Sequence, residues 1–125
     1  MSDAGTFVLC RIEDIPDGEA RGFALPGKRR GVFAVRRGQQ AYVYLNWCPH
    51  AGAELEYAKD RFLSADRERI VCFAHGAHFA IETGACVAGP CMGQKLKRLP
   101  TQIVDGSVLV SSSAEHELNA TNIEG

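Results

Sequence analysis

The sequence predicts an all-β fold, because short β-like runs are separated by turn signals and helical periodicity is weak throughout. This pattern is typical of small antiparallel sheets in a sandwich or incomplete barrel. With 125 residues, the chain fits one domain that can bury a core without disulfides. We predict strands at Thr6–Ile12, Arg30–Arg36, Gln40–Leu45, Phe62–Leu63, Arg69–Phe73, Ala77–Ile81, Ala85–Ala88, Gln102–Val104 and Ser107–Ser111.

Four turn signals join these runs in pairs. Asp105-Gly106 is the strongest, because Asp-Gly suits a two-residue hairpin turn. Arg37-Gly38-Gln39 and Glu82-Thr83-Gly84 each offer a glycine, and Ser64–Glu68 is a polar turn. The best helical candidate, Ala53–Lys59, would give one or two turns at most.

Composition limits the cellular setting. A formal net charge of −1 argues against nucleic acid as a partner. No apolar run approaches the roughly 20 residues that span a bilayer. The N-terminal residues do not form an export signal, so we expect a cytoplasmic protein with no membrane partner. We also expect a domain over residues 1–111, followed by a polar, flexible tail at 112–125.

Two short segments each contain a cysteine and a histidine. They are Cys48-Pro49-His50-Ala51-Gly52 and Cys72-Phe73-Ala74-His75-Gly76. Two thiolates and two imidazoles can hold one zinc ion, or a two-iron cluster with the cysteines on one iron and the histidines on the other. Zinc fingers usually pair Cys with Cys and His with His around a helix. Mixed pairs between β-like runs favour the two-iron cluster, with zinc as the alternative.

With these motifs the sequence resembles the Rieske [2Fe–2S] family. The matching residues run from Cys48 to Leu55 (Cys-Pro-His-x-Gly-Ala-x-Leu) and from Cys72 to Phe79 (Cys-x-x-His-Gly-x-x-Phe), followed by Gly89-Pro90. The resemblance implies a Rieske-type fold with the cluster-binding loops at one tip and a Gly-Pro loop covering the cluster. It also implies one [2Fe–2S] cluster per chain, bound by Cys48, His50, Cys72 and His75.

The spacing departs from the family in one place. The 21 residues 51–71 that separate His50 from Cys72 make a longer gap than is typical. The extra residues fall around Lys59–Arg69, and we interpret them as surface decoration, because loops tolerate insertions.

Three alanines indicate the redox class within the family. High-potential members join their two cluster loops by a disulfide, and here the corresponding positions are Ala53 and Ala74. Those members also carry a serine that donates to a cluster sulfur, where this chain has Ala77. Because such hydrogen bonds raise the potential, we predict a value at the low end of the Rieske span of roughly −150 to +300 mV.

The resemblance implies an electron-transfer ferredoxin that passes single electrons between a flavin reductase and an oxygenase. Only His78 and His116 remain after the ligands are assigned, so a second, mononuclear iron site is not expected and the protein is better interpreted as a carrier than as a complete enzyme. The alternatives are a small subunit of a nitrite-reductase-like complex, a redox sensor or scaffold, and a zinc module.

Five further residues have more than one interpretation. Cys86 and Cys91 could form a disulfide or stay reduced, and a cytoplasmic setting favours reduced thiols. We predict that Cys10 is a core residue, that Trp47 is a core aromatic residue, and that His78 is structural or partly exposed rather than a proton relay.

Overall fold

The computed structural model describes residues 6–25, 31–47, 55, 60–72, 76–89 and 93–111, which form three small antiparallel sheets. A short 3-10 helix at Ile12–Asp14 follows the first strand. The strands are β1 (Thr6–Arg11), β2 (Ala20–Phe23), β3 (Val32–Arg37), β4 (Gln40–Leu45), β5 (Arg69–Cys72), β6 (Ala77–Ala80), β7 (Cys86–Ala88), β8 (Arg98–Leu99), β9 (Thr101–Val104) and β10 (Ser107–Ser111).

The first sheet has the order β1-β10-β9. The β9–β10 turn is the one that Asp105-Gly106 predicts, with φ of 51° at Asp105 and 80° at Gly106. Two consecutive positive φ values match the twist of a tight hairpin. Because β1 pairs with β10, the first and last described strands lie side by side.

The second sheet has the order β2-β3-β4-β8. Its central hairpin turns at Gly38, whose φ is +61°. Each residue from Val32 to Val35 is fully buried, which is expected of a strand covered on both faces. The strand β4 leads directly into the first Cys-His segment.

The third sheet has the order β5-β6-β7. Cys72 ends β5 and lies opposite Ala77, the first residue of β6. The second Cys-His segment is therefore the connection between two paired strands.

Two buried cores lie on opposite faces of the second sheet. Phe33 and Val35 of β3 belong to one core, and Val32 and Ala34 belong to the other. The aromatic core consists of Ala20, Phe33, Val35, Tyr44, Leu55, Phe62, Ile70, Cys72, Ala77, Phe79, Ile81, Cys86 and Leu96. The aliphatic core consists of Ile12, Ile15, Val32, Ala34, Ala41, Val43, Leu45, Leu99, Val108 and Val110.

The predicted all-β fold is confirmed, with differences at individual elements. The prediction missed β2, β8 and the 3-10 helix that begins at Ile12. The strand β2 contains Arg21 and Gly22, so it is extended because it pairs with β3 rather than through local propensity. The predicted run Phe62–Leu63 forms only an isolated bridge between Leu63 and Ile70. The helical candidate Ala53–Lys59 lies, except for Leu55, outside the described residues.

The long insertion is more than the surface decoration that its sequence suggests. Phe62 is fully buried, and its ring stacks on Phe33 with 4.3 Å between the centroids. Asp60 accepts a hydrogen bond of 2.8 Å from the Gly22 amide. The insertion therefore supplies part of the aromatic core and covers the edge of β2. In the described part of the chain, no helix is long and apolar enough to cross a bilayer.

Candidate metal centre

Of the four ligands that the sequence predicts, Cys72 lies among the described residues. It is fully buried in the aromatic core and is not disulfide-bonded. Cys48, His50 and His75 lie outside the described residues. Within the described ranges, no group of three or more His, Cys, Asp or Glu side chains could hold a metal ion.

Main-chain geometry closes the second Cys-His segment. The Gly76 amide donates a hydrogen bond of 2.8 Å to the Cys72 carbonyl, and Gly76 has a φ of +70°. Residues with a Cβ disfavour this left-handed conformation, which explains the glycine after His75. The turn thus returns the chain to Ala77, opposite Cys72.

A side-chain hydrogen bond joins two residues that flank the first Cys-His segment. Asn46 is 5% exposed, and its Oδ1 accepts a hydrogen bond of 3.0 Å from the Leu55 amide. The next residue, Trp47, is half-buried and packs against the aliphatic core, which confirms the prediction of a core aromatic residue. The sequence prediction did not include the Asn46–Leu55 bond. The available sequence signal for this bond was Asn46 itself, a lone polar residue after the apolar strand β4.

The predicted covering loop, which we call the third segment, begins at Gly89. Gly89 lies close to Ala77, the residue after the second Cys-His segment. A Cβ placed on Gly89 would lie 2.9 Å from the Cα of Ala77, and Gly89 has a φ of +99°. Only glycine meets both demands without a shift of the backbone. The start of the predicted covering loop is therefore fixed next to the second Cys-His segment, while Pro90 itself lies outside the described residues.

The three remaining cysteines, Cys10, Cys86 and Cys91, have different outcomes. Cys86 is disulfide-bonded, so the expectation of a reduced thiol there is wrong. Cys91, the partner considered from the sequence, lies outside the described residues. Cys10 is free and packs against the aliphatic core, as predicted. Burial, reinforced by the charge of Asp14, raises the pKa of the Cys10 thiol to about 11, which leaves it protonated at neutral pH.

His78 lies on the face of β6 opposite the aromatic core. It is half-buried between its cross-strand neighbours Val71 and Ala88. Its Nδ1 is buried and has no hydrogen-bond partner. The prediction of a partly exposed histidine is confirmed, although nothing in the sequence indicates the unpaired nitrogen.

Comparisons with known proteins define the class. A model of the Rieske [2Fe-2S] domain matches residues 5–117. The chain therefore belongs to the Rieske [2Fe–2S] domain family, whose cofactor is a two-iron cluster with histidine ligands on one iron. No curated protein matches the chain significantly.

Solved structures support the same class. The ferredoxin of carbazole 1,9a-dioxygenase from Nocardioides aromaticivorans IC177 is 25% identical with a TM-score of 0.68, over 85% of this chain and 96% of that chain. A chain from a complex of reduced oxygenase and oxidised ferredoxin in carbazole 1,9a-dioxygenase is also 25% identical, with a TM-score of 0.68 over 85% and 92%. A longer chain from a reduced complex of the same system, at 22% identity and a TM-score of 0.71 over 85% and 28%, shows the shared fold.

The described residues fit the cofactor of this family. Cys72 supplies a buried sulfur that is not in a disulfide, at the end of a strand, which suits a metal ligand. The close approach of Gly89 to Ala77 brings the third segment beside the second, as a covering loop requires. Both features fit a metal cluster beside the end of β5.

Proposed function

We propose that this protein is a ferredoxin that passes single electrons between a flavin reductase and an oxygenase. Its cluster ligands in this proposal are Cys48, His50, Cys72 and His75. The observation that carries the proposal is the fully buried Cys72 at the end of β5, which is not disulfide-bonded and lies beside the glycine-closed turn. A structural core cysteine needs neither that turn nor a histidine within it.

In this proposal, the two irons of the cluster have different ligands. Cys48 and Cys72 would bind one iron, and His50 and His75 would bind the other. When bound, the [2Fe–2S] cluster accepts and releases one electron. Each ligating imidazole has a second ring nitrogen that can lose its proton at high pH, so the two histidines can couple electron transfer to proton transfer.

The oxygenase partner is proposed from the similar proteins. Two of them are a ferredoxin of carbazole 1,9a-dioxygenase and a chain from an oxygenase–ferredoxin complex of that system. The match spans 96% of the first protein, so the similarity covers nearly the whole of that ferredoxin, which supports a carrier role. The flavin reductase follows from the predicted low potential, because an electron donor of that kind can reduce such a cluster.

Two expectations from the sequence belong to the same proposal. The cluster domain is assigned to residues 1–111 and a flexible tail to 112–125. The protein is assigned to the cytoplasm, where thiols are kept reduced and a disulfide at Cys86 would be unusual. A count of free thiols in protein from cells lysed in alkylating agent tests the compartment: an alkylated Cys86 agrees with the cytoplasm, and a protected one argues for an oxidising compartment.

Spectroscopy of the purified protein tests the cofactor. We expect a coloured protein that gives, after dithionite reduction, a rhombic electron paramagnetic resonance signal with a low average g-value. A colourless, silent protein that contains zinc would contradict the proposal. The Cys72→Ser variant should lose the signal, while Cys10→Ser, which changes a cysteine that is likewise not disulfide-bonded, should keep it.

Electron delivery tests the partner. Reduced protein is mixed anaerobically with the oxidised Rieske oxygenase component of an aromatic-ring dioxygenase, and its reoxidation is followed by visible absorption. We expect reoxidation that accelerates with oxygenase concentration. A rate that does not depend on the oxygenase would contradict this partner while leaving the cofactor assignment intact.

A further inference from the structure

Asn46 stands apart from the other buried residues. It is the only buried amide or charged side chain among the described residues, at 5% exposure. Burying an amide is unfavourable unless its polar atoms find partners. Asn46 follows β4 directly and precedes Cys48 by two positions, so it lies where the chain leaves the sheet toward the first Cys-His segment.

The main chain around Asn46 is fixed to the second sheet. The Asn46 amide donates a hydrogen bond of 3.0 Å to the Gly31 carbonyl. The adjacent Leu45 amide donates to the Lys97 carbonyl at 2.9 Å, and the Trp47 amide donates to the Leu45 carbonyl at 2.8 Å. The Asn46 side chain therefore extends from a main chain that hydrogen bonds hold in place.

The Asn46 carboxamide connects this part of the main chain to Leu55, which follows the first Cys-His segment. Its Oδ1 accepts the Leu55 amide hydrogen at 3.0 Å in a buried bond. The eight residues 47–54 between the two partners include Cys48 and His50. One side chain thus holds both ends of the stretch that carries half of the proposed ligands.

Leu55 extends the connection to the second Cys-His segment. Its side chain is fully buried in the aromatic core, to which Cys72 also belongs. The hydrogen bond at the Leu55 amide therefore ends at a residue of the same core that contains Cys72.

We propose that Asn46 is a positioning residue for the cluster: its carboxamide closes the segment 47–54 and thereby sets where Cys48 and His50 stand relative to Cys72. This inference rests on the proposed ligand set. A merely structural role would lower the stability of the fold without a specific effect on the cluster. A positioning role changes the cluster's spectrum and its retention.

The test compares three variants of the cluster-loaded protein. Asn46→Leu keeps the approximate size but removes the acceptor. Asn46→Asp keeps an oxygen that can accept the Leu55 amide hydrogen. Tyr44→Phe is the matched control, because it also removes a buried side-chain bond to the main chain, the 2.5 Å bond that the Tyr44 hydroxyl donates to the Ile81 carbonyl.

Each variant is examined by electron paramagnetic resonance and by the rate of cluster loss to a chelator. For Asn46→Leu we expect shifted g-values and cluster loss that is faster by about tenfold, which is equivalent to about 1.4 kcal/mol. Asn46→Asp should retain wild-type g-values and stay within about twofold of the wild-type rate. Tyr44→Phe should unfold at lower urea concentration with unchanged g-values.

The outcomes separate this inference from the proposed function. Wild-type g-values and retention in Asn46→Leu overturn it, as does an equal acceleration of cluster loss in Tyr44→Phe. If Asn46→Leu does not fold, rapid cluster loss from a folded Asn46→Asp overturns it as well. A wild-type protein without the Rieske signal overturns the proposed function and this inference together.

Discussion

The two Cys-His segments are closed by different chemistry. In the second, the main chain closes its own turn, from the Gly76 amide to the Cys72 carbonyl, between paired strands. At the first, a side chain bridges the flanking residues, from Asn46 to the Leu55 amide. The second segment is therefore sensitive to changes of backbone conformation, and the first to the loss of one carboxamide.

The largest effect is expected where the third segment meets the second. In Gly89→Ala, the new Cβ would lie 2.9 Å from the Ala77 Cα at a φ of +99°. We expect the free energy of unfolding to fall by about 3 kcal/mol, from backbone strain and steric overlap together. Urea unfolding of the loaded protein measures it.

Gly93→Ala is the matched control for this variant. Gly93 has a similar φ of +93°, but a Cβ there has nothing within 4 Å. It should show the conformational cost alone, about 1 kcal/mol. Equal losses in the two variants would mean that the contact between Gly89 and Ala77 does not hold the third segment in place.

The next effect concerns the potential. The wild-type midpoint should lie below about +100 mV, in the lower part of the Rieske span. Ala77→Ser places a hydroxyl where high-potential relatives carry one, and should raise the midpoint by about 50 mV, or roughly 1 kcal/mol for one electron. Spectroelectrochemical titration measures both values, with iron content as the control. An unchanged midpoint in Ala77→Ser would show that residue 77 does not reach the cluster sulfurs.

A smaller effect compares two open glycine turns. Gly76→Ala and Gly38→Ala change glycines with φ of +70° and +61°, neither with an obstacle within 4 Å. Each should lower the free energy of unfolding by about 1 kcal/mol. Only Gly76→Ala should alter the g-values, because Gly38 turns the distant β3–β4 hairpin. Altered g-values in both variants would refute the special role of the Gly76 turn.

The smallest effect concerns the Cys10 thiol at alkaline pH. Burial raises the pKa of the Cys10 thiol from 9.0 to about 11, so the folded state keeps the proton where the unfolded state loses it. The stabilisation this provides is complete below pH 9 and is lost as pH rises toward 11. Wild-type stability should therefore fall more steeply over this window than that of Cys10→Ala, as measured by urea unfolding of the metal-free protein. Parallel pH profiles would contradict the raised pKa.

Local chemistry made part of the molecule predictable. Asp105-Gly106 specifies its hairpin from two adjacent residues, and the paired motifs identify the family without any structure. Long-range contacts were not predictable in the same way. The strand β2 is extended because β3 pairs with it, and Phe62 is buried because Phe33 lies under it. The bond from Asn46 to Leu55 likewise depends on where the core places the Leu55 amide.

The second sheet has buried side chains on both faces, and this has a consequence for how the holoprotein is made. Because β3 contributes to both cores, neither core can come apart without exposing the other, and we expect the domain to unfold in a single cooperative transition. Most of this shared interior is built from strands that carry none of the proposed ligands. We therefore expect the polypeptide to reach its native architecture before iron binds, so that the cluster is inserted into a domain that is already folded.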